Sequence, residues 1–228
     1  MKTVLFVCLM TSALSVAQSQ AHISTPGLQQ GISVEETVTR NAIPMPAADD
    51  ENAWIVAVTA DGRIYFGVEP MTPDSLMEKM RSTPRHRDAM LYIKADSRAP
   101  FAVVEKVLDV ARKNLFPSAV LLTSQHESAA PGAIASPKGL EISLALPPTP
   151  AFVTVQINRD GSTSKFAVNN MAVNSDALQV ALKRGLQGRS GGIAMVKSSG
   201  QVPFSEVALV IDVARSMNAN VVLGAEGP

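Results

Sequence analysis

Apolar and polar positions alternate through WIVAVTADG (54–62), where Val56 and Val58 are separated by Ala57 and Thr59. That period of two predicts a half-buried strand. Asp61-Gly62 closes the run with a residue that tolerates the positive φ of a hairpin turn, and RIYFGV (63–68) follows as a second strand. The spacing then lengthens. Thr72 as cap and Pro73 in the first turn open a short helix with a buried stripe of Leu76, Met77 and Met80, ending before Pro84. MLYIKA (90–95) is a third strand. A second helix begins at Pro100 and places Phe101, Val104, Leu108 and Ala111 on one face. SAVLLTS (118–124) is the last strand of the series.

The same series then returns. VLDVAR (107–112) reappears as VIDVAR (210–215), 103 positions further on, and the match extends on both sides. APFAVVEKVLDVAR (99–112) lies over VPFSEVALVIDVAR (202–215), with Phe204, Val207, Ile211 and Ala214 renewing the buried face. VTVQINRDG (153–161), KFAV (165–168), IAMVK (193–197) and ANVVLGA (219–225) supply the strands. Asn174 or Ser175 is the cap of the short helix, Leu178 and Leu182 pack, and Gly185 is its expected end. The reading is an α+β protein of two tandem β-β-α-β-α-β modules, 51–125 and 151–225, each a small mixed sheet with two helices on one face. Phe101, Val104, Leu108, Phe204, Val207 and Ile211 are its repeated core. On this reading one continuous sheet, in place of a pair of superimposable halves, would overturn the duplication.

Segments outside the two modules also carry a pattern. Residues 18–50 form an N-terminal extended segment, and 126–150 a linker rich in Pro, Ala and Ser. Within the linker Leu140, Ile142, Leu144 and Leu146 alternate with Glu141, Ser143 and Ala145. Ahead of the first module, ISVEETV (32–38) holds the same place with Ile32, Val34 and Val38. Both read as strands able to add to an exposed sheet edge, of this chain or of a partner. Asp109 is placed to meet Lys113 one turn on, and Asp109 and Asp212 both read as residues of solvated helix faces.

Composition narrows the class. Twenty basic and 20 acidic side chains in 228 residues leave no net charge to attract nucleic acid, and aromatics at 4% are too few for base stacking. Met1-Lys2 followed by TVLFVCLMTSALSV (3–16) and SVAQ reads as a signal peptide over 1–17, shorter than the roughly 20 apolar residues of a membrane span. Its cleavage would remove Cys8, the only cysteine, and send a disulfide-free chain to the periplasm. Inner-membrane anchoring is the alternative.

Several catalytic patterns fail on context. GRSGG (188–192) fits a nucleophile elbow, but it follows a helix and precedes a strand, and no histidine lies downstream of Ser190. His86-Arg87-Asp88 lacks the asparagine of a kinase loop, since Ile93 stands in its place. His22, His86 and His126 have no spaced partner for a metal. GLQGRSGG (185–192) lacks the lysine end of a phosphate loop. The reading is of a protein that is not an enzyme, with no catalytic residue, metal or cofactor.

The ordered series does resemble a family. The approach NAIPMPAADDENAWIVAVTADGRIYFG (41–67) and the run KADSRAPFAVVEKVLDVAR (94–112) are similar to the periplasmic domain of the ExbD/TolR family, closely over 30–125 and more loosely over 139–224. The resemblance implies a role in TonB- or Tol-type biopolymer transport. There a dimerising periplasmic domain engages TonB-like or TolA-like partners or, in TolR, peptidoglycan, and a transmembrane aspartate serves proton flow beside an ExbB/TolQ-like subunit. This chain departs from that pattern. Its N-terminal apolar run has no acid, and KAD (Lys94, Asp96) becomes KSS (Lys197, Ser199) in the second module. The expectation is a non-enzymatic periplasmic protein-binding component lacking its own proton-coupling acid, with its modules packed as an intrachain pseudo-dimer. A wall-binding structural module and a membrane-tethered transporter subunit are the alternatives.

Overall fold

The computed structural model of the chain describes residues 31–86, 88–125, 136–145, 152–187, 192–199 and 201–224. The signal-peptide expectation, Cys8, His22, His126, Leu146 and Ser190 lie outside these residues. In chain order the elements begin with β1 (Ile43–Pro44), a 3₁₀ turn (Pro46–Asp49), β2 (Trp54–Val58), β3 (Ile64–Phe66), β4 (Glu69–Met71), α1 (Pro73–Ser82), β5 (Leu91–Ala95), α2 (Phe101–Lys113) and β6 (Ser118–Thr123). β7 (Lys138–Ser143) follows, and then β8 (Phe152–Asp160), β9 (Thr163–Val168), β10 (Met171–Val173), α3 (Ser175–Leu186), β11 (Ile193–Ser198), α4 (Phe204–Arg215) and β12 (Asn220–Leu223).

Local chemistry explains most of these elements. Gly62 (φ 79°) and Gly161 (φ 60°) occupy the turns that the two Asp-Gly pairs predict. Thr72 caps α1 through the Ser75 amide in a reciprocal capping box, and Asn174 caps α3 through the Ala177 amide at 2.8 Å. The stripes of α2 and α4 are buried as their spacing requires: Phe101, Val104 and Leu108 are at most 2% exposed, and Phe204, Val207 and Ile211 fully covered. Two short strands escaped the sequence reading. β10 returns from β9 through Asn169 and Asn170, both at positive φ, and β4 returns from β3 through Gly67 (φ 62°). α3 does not end at Gly185 but runs through it to Leu186. Glycine is needed there because a Cβ would lie 3.0 Å from both Val153 methyls, so this residue lets α3 approach β8.

Among the described residues the strands join one twelve-stranded mixed sheet, in the order β4-β3-β2-β5-β6-β7-β12-β11-β8-β9-β10, with β1 added to β7. This corrects the expectation of two small sheets, and it is the outcome that the sequence reading set against a duplication; what remains in favour of one is the order of elements repeated on either side of β7. The physical reason is β7. β6 and β12 are rows of buried Val and Leu, and each alone would leave a flat apolar edge. β7 pairs antiparallel with β6 from Ser118↔Ser143 to Thr123↔Lys138, and joins β12 in parallel at Val222↔Ser143. β1 takes the rest of its second edge through Ile43↔Gly139 and Pro44↔Lys138. Gly139 is required at this crossing, since a Cβ would meet a Val120 methyl at 2.3 Å. Leu140, Ile142 and Leu144, at 1%, 0% and 5% exposure, then belong to a core cluster shared by α1, α2, α3 and α4. On the opposite face Met45, Ala48, Ile55, Tyr92, Val120 and Leu122 form a smaller cluster under the 3₁₀ turn.

Counted inward from either end, the strands reach β7 in the same sequence of partners: two antiparallel hairpin pairs, then two parallel pairs. The backbone agrees in detail. Asp96 N donates to Val58 O (2.8 Å) and Ala99 N to Asp96 O (2.9 Å); Ser199 N donates to Ile157 O (2.9 Å) and Val202 N to Ser199 O (3.1 Å).

Candidate protein-interaction site

The first feature of the site is the contact between the two signature helices. Pro100 and Pro203 are their N-caps, one residue before the helices begin, and neither offers a side-chain acceptor. The first free amides therefore need carbonyls from elsewhere. They exchange them: Phe101 N donates to Val202 O and Phe204 N to Ala99 O, both at 2.8 Å, and Pro100 and Pro203 face each other in an antiparallel bridge. Ser205 N adds a bond to Ser97 O at 3.0 Å. Such reciprocity is the signature of an isologous contact, here made within one chain. Arg112 reinforces it, donating to Leu223 O at 2.7 Å while Asp109 holds its guanidinium at 2.5 Å. Asp109 thus pairs with Arg112, not with Lys113.

The second feature is the N-terminal arm, residues 31–50. Ahead of β1 it is not a regular strand; there it touches the sheet through isolated bridges, Glu36↔Asp96 and Val38↔Ser124. Its phase also differs from the alternation read in the sequence. Ile32 and Val34 are half-buried, Val38 is 47% exposed, and Thr37 and Thr39 face inward. At Thr39 a polar partner awaits, since the Thr39 and Thr123 hydroxyls share a hydrogen bond of 2.7 Å; the Thr37 hydroxyl is buried with no partner among the described residues.

Lys94 and Asp96 fasten this arm. The Asp96 carboxylate accepts from Glu35 N (3.3 Å), Arg98 N (3.1 Å) and the Arg98 guanidinium (2.9 and 3.1 Å). The Arg98 hydrogen bond is the main reason its carboxyl is held below the usual range. Arg98 also reaches Glu35 at 3.4 Å. Burial pulls Lys94 below the usual lysine value, against the attraction of Glu36; burial likewise raises Glu36, against the attraction of Lys94.

The arm then crosses to the other half. Asp212 is 5% exposed, and its carboxylate accepts from Asn41 N (2.7 Å) and Arg40 N (3.2 Å), while Asn41 Nδ2 donates to Asp212 O (3.2 Å). The expectation of a solvated helix face is corrected at this residue. Two unpaired arm amides need an acceptor, and the carboxylate is fully used in supplying it. Gln125 completes the strap, donating to Ala42 O (2.9 Å) and accepting from Lys138 (2.8 Å).

Between arm and helices lies a cleft of about 940 Å³, walled by Val38, Arg40, Gln125, Gln179, Leu209 and Ser216 among others. Its charged walls are Arg40 and the committed Asp212, so it offers amide, hydroxyl and guanidinium contacts suited to non-covalent binding of a peptide-like ligand. Among the described residues no three His, Cys, Asp or Glu side chains are grouped to hold a metal, and His86 is exposed. Sequence reasoning missed Arg40, Asn41, Gln125 and Gln179. Only the polar break in the arm's alternation hinted at them.

A family model described as "Biopolymer transport protein ExbD/TolR" matches residues 1–126. The chain belongs to this family. Its members are non-enzymatic transport accessory proteins that normally work with ExbB/TolQ and TonB/TolA, so the chain is a component of a biopolymer transport system. No curated protein matches the chain, and no solved structure does. The family match ends where the first half ends, and the second half shows the same order of elements.

Proposed function

We propose that the chain is a periplasmic, non-enzymatic protein-binding component of a TonB- or Tol-type system, built from two copies of the ExbD/TolR periplasmic module. In this reading the two copies stand in for the family's homodimer. The observation that carries it is the reciprocal pair of bonds between Phe101 and Val202 and between Phe204 and Ala99. A chain that satisfies its own helix starts in this way has no need of a second copy at that surface. The strand added at β7 serves the same end: the segment that precedes the second half completes the sheet of the first. Leu140, Ile142 and Leu144 therefore act in strand addition within the chain. Ile32, Val34 and Val38 remain on the half-covered arm, where a partner is free to compete for Asp96.

The partner is a TonB-like or TolA-like envelope protein. Co-purification from solubilised envelopes tests this: retention of such a protein supports it, and its absence under conditions that retain an ExbB/TolQ-like subunit counts against it. Two observations favour other readings. The amide-rich cleft suits peptidoglycan, which sedimentation with purified wall would reveal. The family match begins at residue 1 and so includes the apolar run 3–16, which favours a membrane tether. Among the described residues no helix is long and apolar enough to cross a membrane. Sequencing the exported chain's N-terminus decides this point, since a start near Gln18 excludes a tether.

A further inference from the structure

The two outer edges of the sheet hold corresponding places and are finished differently. At the first, β4 carries Pro70, which has no amide hydrogen to offer an incoming strand. Glu69 reaches Lys79 of α1 at 3.9 Å, and the Lys79 ammonium lies 5.8 Å from the centre of the Phe66 ring. Charge and proline together blunt this edge. At the second, the register of the β9–β10 hairpin and the cap of α3 put Met171, Ala172 and Ala181 where Glu69, Pro70 and Lys79 stand. The proline and both charges are gone.

Their loss leaves an apolar groove of about 410 Å³ between β10 and α3, lined by Val168, Met171, Val173, Ala177, Val180 and Arg184 among others. Met171 and Val180 are 62% and 61% exposed, large values for side chains of this kind. Among the described residues β10 is the last strand of the sheet, and its outer edge has no partner there. Arg184, the groove's one charged wall, is exposed and has no ion-pair or hydrogen-bond partner among the described residues.

We propose that this edge takes an extended segment of another protein as an additional strand, apolar at alternate positions to fill the groove and bearing a carboxylate that meets Arg184. A second copy of the chain fits less well, because an isologous contact would bring a second free arginine and no counter-charge. The proposal rests on the reading of the chain as a protein-binding component and states where the partner sits.

The full chain is titrated with a fluorescent peptide of about ten residues, the length of a longer strand, alternating valine and threonine with one central aspartate. Saturable binding is expected, weakened at least about tenfold by Ala172→Pro and by Arg184→Glu. In case proline disturbs the hairpin, Met171→Glu with Ala181→Lys transplants the charge pair of the first edge at exposed or half-exposed positions and should weaken binding equally, with an unchanged circular dichroism spectrum. A lysine-bearing peptide should bind the wild type poorly and Arg184→Glu well. No binding, or binding indifferent to all three variants, overturns the proposal. So does a two-chain assembly that disperses on Arg184→Glu, which would assign the edge to a second copy. A TonB-like protein that co-purifies undiminished with the three variants would leave the proposed function standing and remove only this edge from it.

Discussion

Lys94 and Asp96 in the first half, and Lys197 and Ser199 in the second, occupy the same places at the end of the same strand, and the backbone around them bonds alike. Their surroundings differ. The first pair is buried beneath the arm; Lys197 and Ser199 are half-exposed, and the arm has passed on to α4. Asp109 and Asp212 reverse the contrast: the acid of the second half is buried and committed, while that of the first is 46% exposed beside Arg112. Corresponding places in the two halves thus carry different chemistry. What decides between them is where the single N-terminal arm lies, which the half itself does not encode.

Variants can sharpen this comparison. The largest effect is expected at the junction both halves share. Ile142→Asp puts a charge among core side chains from both halves and should cost about 4 kcal/mol or more. In denaturant the wild type should unfold in one transition, with the fluorescence of Trp54 and circular dichroism coinciding; separate transitions would mean that the halves are independent. Asp212→Ala leaves two arm amides without an acceptor and should cost about 1–3 kcal/mol by urea denaturation. Asp96→Asn loosens the arm at its other end and should cost about 1–2 kcal/mol near neutrality.

Asp96→Asn should also alter the response to acid. A carboxyl held below its unfolded value contributes stability that is present above that value, near pH 4, and is lost as pH falls through the lowered folded value. The variant should therefore show a shallower loss of stability than the wild type over that acid window, and parallel curves would contradict the assignment. Asp109→Ala should have the smallest effect, at most about 1 kcal/mol, because its carboxylate is 46% exposed and Arg112 keeps its bond to Leu223 O. An effect equal to that of Asp212→Ala would erase the distinction between the halves.

The hairpins and helices of both halves were legible in the sequence because local chemistry specifies them. The Asp-Gly turns, the cap Thr72, a cap at Asn174 or Ser175 and the stripes of Phe101 and Phe204 needed no tertiary context. Where a segment must choose among edges, local pattern ran out. The alternation of Leu140, Ile142 and Leu144 announced a strand, but nothing in it said that the strand would weld two sheets into one. In the arm, apolarity suggested Val38 as an inward residue; Thr39 took an inward place because Thr123 offers a hydroxyl partner from a distant strand. Asp212 looked solvated for the same reason, as its partners lie 171 and 172 residues away. The returning strands β4 and β10 had a readable signal in Gly67 and in Asn169-Asn170, all turn formers.

The central claim is that the two halves complete each other within one chain. Sedimentation velocity across a concentration series tests it most directly. The account predicts a single species of monomer mass from low to high micromolar protein. A stable two-chain assembly at low micromolar protein would contradict it, because the surface joined at Pro100 and Pro203 would then not suffice by itself.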